Sequence, residues 1–190
     1  MTALVTSPPA LEPVTLAEAR AHLRVTATAE DALIERLVAA ARAEVERLTR
    51  RALIRQGWRL YLDGWPPGRA VRFPVAPVVS VESLTVYDDD GMPVLLPVGA
   101  YTPRLNSEPP GLSVAVGAGG LAPNGIEIDF TAGYGAAADD VPEPLRQAVL
   151  LLAGFWFERR EGLAEAGSPQ GLGLPGALAA LISGYRRVRL

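Results

Sequence analysis

The sequence predicts an α+β fold: a small helical bundle with an inserted antiparallel β meander and an extended C-terminal arm. Three observations predict it. Apolar residues recur at helical spacing over 15–51 and again over 142–160. Between them, residues 57–133 switch to two-residue alternation, broken up by Pro and Gly. Last, the Gly/Pro-rich stretch EAGSPQGLGLPG reads as a tether ahead of a final apolar piece. The expected organisation is an N-terminal extension over 1–14, one folding unit over 15–161 and a tether with arm over 162–190.

The first helix opens at Thr15, where TLAE forms a capping box: the Thr15 hydroxyl and the Glu18 carboxylate satisfy each other's orphan amides. Leu16, Ala19 and Leu23 follow on one side. After a break over Val25 to Thr28, Thr28 is placed to cap a longer helix. Leu33, Ile34, Leu37, Val38, Ala41, Val45 and Leu48 line its stripe, with acids at its start and arginines at its end, as the helix dipole prefers.

The third helix, Val141 to Glu161, is apolar on nearly every side. Asp139 and Asp140 can cap and load its start, Pro142 suits its first turn, and Arg159 and Arg160 sit in its last. Leu145, Ala148, Val149, Leu152, Ala153 and Trp156 form a core stripe, and Leu150, Leu151, Phe155 and Phe157 fall outside it. These four are the candidate subunit-interface residues. Their face needs a second layer, supplied by the same domain or by a neighbouring subunit. A bilayer span is not expected, because the apolar run is shorter than about 20 residues and charges bracket it.

In the β region Trp58, Leu60 and Leu62 alternate with Arg59 and Tyr61, and Ile126, Ile128 and Phe130 alternate with Glu127, Asp129 and Thr131. Val79 and Val81 are expected on one side. Within VESLTV the apolar parity shifts between Val81 and Leu84, which a bulge near Glu82 or Ser83 reconciles. No helix-length crossover separates these strands, so antiparallel pairing is expected.

Composition narrows the chemistry. The chain has 190 residues, 49% of them hydrophobic, enough for a core without staples. It has no cysteine, hence no disulfide, thiolate nucleophile or cysteine zinc site. The opening MTALVTSPPALEP lacks the basic and apolar regions of an export signal. A net charge of −3 gives no global basic field, and all 18 basic residues are arginines. The single histidine, His22, has no partner for a metal cluster or triad and reads as a surface or packing residue. Asp88, Asp89, Asp90 and Gly91 lack the ligand spacing of a calcium loop and read as a hairpin turn. Gly117 to Gly120 precedes no lysine and no helix and reads as a loop rather than a phosphate cradle. No catalytic, cofactor-binding or metal residue is assigned, and no cofactor is expected.

The order TLAEARAHLRV, EDALIERLVAAARAEVERLTRRAL, QGWRLYLDGWP, FPVAPVVSVESLTVYDDDG, IEIDFTAGYG and VPEPLRQAVLLLAGFWFERRE resembles the head-tail connector, or adaptor, proteins of tailed bacteriophages and of gene transfer agents. The resemblance runs over about 13–190 and includes the ending LPGALAALISGYRRVRL, similar to that family's C-terminal arm. It implies a structural protein of the particle, not an enzyme, assembled in the bacterial cytoplasm into a dodecameric ring below the portal. The implied partners are its own copies, the portal protein, a stopper or tail-completion protein, and DNA passing through the channel without sequence specificity. No membrane is implied. Portal binding falls to the arm residues Leu178, Leu181, Ile182, Tyr185, Arg186, Arg187, Arg189 and Leu190, with Tyr185 as aromatic anchor and the arginines pairing with acids. On this reading 177–190 adds little to the fold of its own subunit.

Two other readings stand beside this one. A nucleic-acid binder would act through Arg47, Arg50, Arg51 and Arg55 near the end of the long helix, with a steep salt dependence. A small hydrolase would use carboxylates that sit in no distinctive motif.

Overall fold

The computed structural model describes residues 1–159 and 176–187. They group into a sheet unit, Met1–Ala10 with Arg55–Tyr134, and a helical unit, Leu11–Ile54 with Gly135–Leu190.

The sheet unit holds eight strands: β1 Thr2–Ser7, β2 Gln56–Leu62, β3 Ala70–Arg72, β4 Val78–Tyr87, β5 Pro93–Leu95, β6 Tyr101–Arg104, β7 Gly111–Val114 and β8 Ile126–Ala132. They form a five-stranded sheet in the order β1-β2-β8-β4-β5 and a three-stranded one, β3-β7-β6. Every pairing is antiparallel. The order is not that of a simple meander, because β8 returns to the middle of the larger sheet. That position explains its composition. Ile126, Ile128, Phe130 and Ala132 are all buried, and opposite them on β2 stand Leu62, Leu60 and Trp58. Phe73 closes on Phe130 with ring centroids 4.6 Å apart, and Trp58 stacks on the same ring at 6.4 Å.

Strand β4 carries the expected irregularity and one more. Its pairing with β8 slips between Val81 and Ser83, which makes Glu82 the bulged residue, and again between Val78 and Ser80. The two bulges put Val78, Val81, Leu84 and Val86 opposite Ala132, Phe130, Ile128 and Ile126. Val79 therefore does not share a face with Val81: it is the extra residue of the second bulge and stays exposed.

The N-terminal extension is also corrected. Thr2–Ser7 adds a strand to the edge of β2, and Gly57 admits it closely, since a Cβ there would meet Ser7 and Thr6 at 3.1 Å. The Asp88 turn is a hairpin as expected, with Asp88 accepting from the backbone amides of Asp90 and Met92. The Gly117–Gly120 loop is held from outside: Arg69 lies over the Trp65 ring and donates to the carbonyls of Ala118 and Gly120.

The helical unit holds α1 Leu16–Leu23, α2 Asp31–Thr49, α3 Glu143–Glu158 and α4 Gly176–Ile182. The Thr15 capping box is formed as the sequence dictates, with the Glu18 amide donating to the Thr15 hydroxyl at 3.2 Å and the Thr15 amide to the Glu18 carboxylate at 2.7 Å. Thr28 does not cap α2: it opens a 3-10 turn, Thr28–Glu30, that leads straight into the helix. Asp139 and Asp140 do not cap α3 either. They lie in a separate 3-10 turn, where the Asp140 carboxylate accepts from Ala137, and Pro142 is the capping residue. Arg160 lies outside the described residues. Both α1 and α2 end on an arginine in the left-handed region, Arg24 and Arg50, because no glycine stands at either exit.

Candidate assembly surfaces

Helix α3 is the hub of the helical unit, packing against α2, α1 and α4. Its predicted stripe, Leu145, Ala148, Val149, Leu152, Ala153 and Trp156, is buried throughout. On the far side Gly154 is buried too, leaving room for His22 and Leu23 of α1 at about 3.5 Å from where a Cβ would sit. Much of the second layer that the sequence demands is thus built from the chain itself. Leu150, Leu151, Phe155 and Phe157 are half-buried, and the guanidinium of Arg159 covers the Phe155 ring at 4.3 Å. His22 is exposed.

The C-terminal segment departs from expectation. Leu178 and Ile182 are fully buried in α4, which packs on α3, so this segment is part of its own subunit's core. A Gly/Pro-rich stretch before it suggests decoupling, yet seven residues of helix with two core anchors suffice to dock it. Beyond α4 the chain is held at two further points: Arg51 Nε donates to the Tyr185 carbonyl at 2.8 Å, and the Arg187 amide to the Thr49 carbonyl at 3.3 Å. Leu181 and Tyr185 are half-buried and Arg186 is exposed. Arg189 and Leu190 lie outside the described residues.

The arginines near the end of α2 do not form one open cation patch. Arg47 makes two 2.7 Å bonds to Glu44, Arg51 holds Tyr185, and only Arg50 and Arg55 are exposed without a bond described. Arg146 ties the start of the unit together, reaching the Pro13 carbonyl, Glu18 and Glu143. Among the described residues no group of three or more His, Cys, Asp or Glu side chains could hold a metal ion, and no helix is long and apolar enough to cross a membrane.

The polar face of the large sheet is a closed network. Arg59 clasps Asp129 through two bonds of 2.7 and 2.9 Å and stands 3.3 Å from Glu127. Hydrogen bonding from Arg59 holds the Asp129 carboxyl below its ordinary value, and the same bond raises the guanidinium's own. Glu82 at the bulge is lowered in the same way by Ser80 and Thr131. These groups satisfy one another, which suits a structural face better than a reactive one.

Residues 13–92 match the family described as phage gp6-like head-tail connector protein. Over its full length the chain is 32% identical to a chain of a solved structure of the neck of an empty gene transfer agent particle, computed with C6 symmetry. It covers 97% of that chain with a TM-score of 0.82. A chain in the virion of a native gene transfer agent particle matches at the same identity and coverage with a TM-score of 0.80. A third, in the neck of a native particle computed with C12 symmetry, has a TM-score of 0.75 at 32% identity, over 98% of this chain and 97% of that one. No curated protein matches. The chain belongs to the head-tail connector family. A head-tail connector is a structural protein and not an enzyme.

Proposed function

We propose that this connector forms a ring of identical subunits at the head-tail interface of a phage-like particle, docks on the portal and continues the DNA channel toward the tail. The observation that carries the reading is the full-length likeness to neck components of particles solved with sixfold and twelvefold symmetry. Cyclic symmetry demands head-to-tail contacts between unlike patches of each copy. A twelve-membered ring fits the C12 neck, and a stopper or tail-completion protein is the expected partner on the side away from the portal.

Portal docking falls to the end of the chain. Leu178 and Ile182 anchor α4 to its own subunit, and Tyr185, Arg186 and the remaining arginines of YRRVRL supply an aromatic and cationic tip for an acidic cleft. The half-buried Leu150, Leu151, Phe155 and Phe157 are the helical unit's contribution to contacts between copies. The DNA-binding reading gains nothing from an arginine set half of which is engaged within the protein.

The test is a chain ending after Tyr185, which keeps α4 and removes the arginines. It should fold and form rings yet leave DNA-filled heads without tails. Tailed, transfer-competent particles from that variant would refute the docking role.

A further inference from the structure

Of the eleven large apolar side chains that stand exposed among the described residues, ten lie in the sheet unit and only Leu11 in the helical unit. Four sit on the two edges of the five-stranded sheet. Leu4 and Val5 are 53% and 45% exposed on β1, and Val94 and Leu95 are 44% and 65% exposed on β5. A sheet edge is a row of unpaired amides and carbonyls, and proteins ordinarily blunt it with charge, proline or a covering element. Strand β1, TALVTS, contains no charged residue and no proline, and nearly all of it is exposed. Strand β5 is exposed at all three residues and carries no charge; its one proline, Pro93, stands at the first position and removes an amide there.

We propose that β1 of one copy pairs with β5 of the next, joining the sheets of neighbouring subunits around the ring. The inference rests on the ring reading above and names its contact. Two features favour the next copy as occupant. The edges differ in sequence and length, as a head-to-tail contact requires; pairing of β1 with itself would give a two-fold dimer that stops there. Their sense also fits: with five strands all antiparallel, β1 and β5 run in the same direction. Rotation about a ring axis preserves that sense, so the joint is a parallel pair. Such a pair is slightly weaker per residue than an antiparallel one, and so short a joint holds only through closure of the whole ring.

The chain lacks cysteine, so introduced thiols report one contact without background. Four double variants combine Leu4→Cys or Val5→Cys with Val94→Cys or Leu95→Cys, in full-length protein assembled with its particle. Mild oxidation should convert at least one combination into a ladder of covalent multimers on a non-reducing gel, and none of the four single variants should give more than traces of dimer. A companion variant, Leu4→Lys with Val5→Lys, places charge on an exposed strand; it should keep its circular dichroism and lose the ring. Rings that persist in the lysine variant, or that form in every cysteine variant without cross-linking, would overturn the edge joint and leave the ring reading intact. Strong dimers from Val5→Cys alone would replace it with β1–β1 pairing. Wild-type protein that forms no ring would take both readings down.

Discussion

Gly111 shows how tightly single positions are set. It opens β7 against Arg72, and a Cβ built there would lie 2.4 Å from the Val71 carbonyl oxygen, which is backbone and cannot yield. Gly111→Ala should therefore cost about 1–3 kcal/mol, read as a lower melting temperature with unchanged helix content. Asp129 gives the acid-side prediction. Its folded value, like that of Glu82, lies below the unfolded one of about 4. A depressed carboxyl contributes stability that is fully present above the unfolded value and is lost as pH falls through the folded one. Denaturation midpoints should thus be flat above about pH 5 and fall below about pH 4, and Asp129→Asn should flatten that fall. An equally steep fall in the variant would show that the Arg59 pair is not its source. None of this partnering is visible in sequence. IEIDF announces which residues face water, and nothing in it says that Asp129 meets Arg59.

At the scale of elements, legibility followed the strength of local signals. The TLAE box, the α3 stripe and the bulge at Glu82 could be read because each is a pattern within a few residues: a cap, a 3.6-residue repeat, a break of parity. Strand β1 could not, because TALVTS neither alternates nor sits beside its partner; β2 begins about fifty residues later. The capping roles expected of Thr28 and Asp140 failed where a 3-10 turn intervened, a choice that no residue type announces. The largest revision is α4. A glycine-rich tether before it suggests independence, yet Leu178 and Ile182 supply the side chains that α3 needs covered. Leu178→Ala should cost about 2–4 kcal/mol, and truncation after Gly173 should lower the melting temperature by several degrees. An unchanged melting temperature in the truncated protein would return the segment to the role of a detached arm.

For the whole molecule, the fold is one that serves assembly. Charges on the polar face of the sheet are spent on one another, and among the described residues the exposed large apolar side chains gather in the sheet unit, with Leu11 alone exposed in the helical unit. Replacing Phe155 with Glu tests how much of the α3 flank belongs to the assembly. Folded monomers that no longer form rings are expected, and rings of ordinary stability would show that the Arg159-covered ring serves only its own subunit. The most direct measurement is cryo-electron microscopy of particles from the host that makes this chain, with its neck reconstructed and the chain traced in the density. A closed ring of copies between portal and tail is expected, each with α4 docked on its own α3. A neck without this chain, or purified protein that stays monomeric beside portal at every concentration tried, would contradict it.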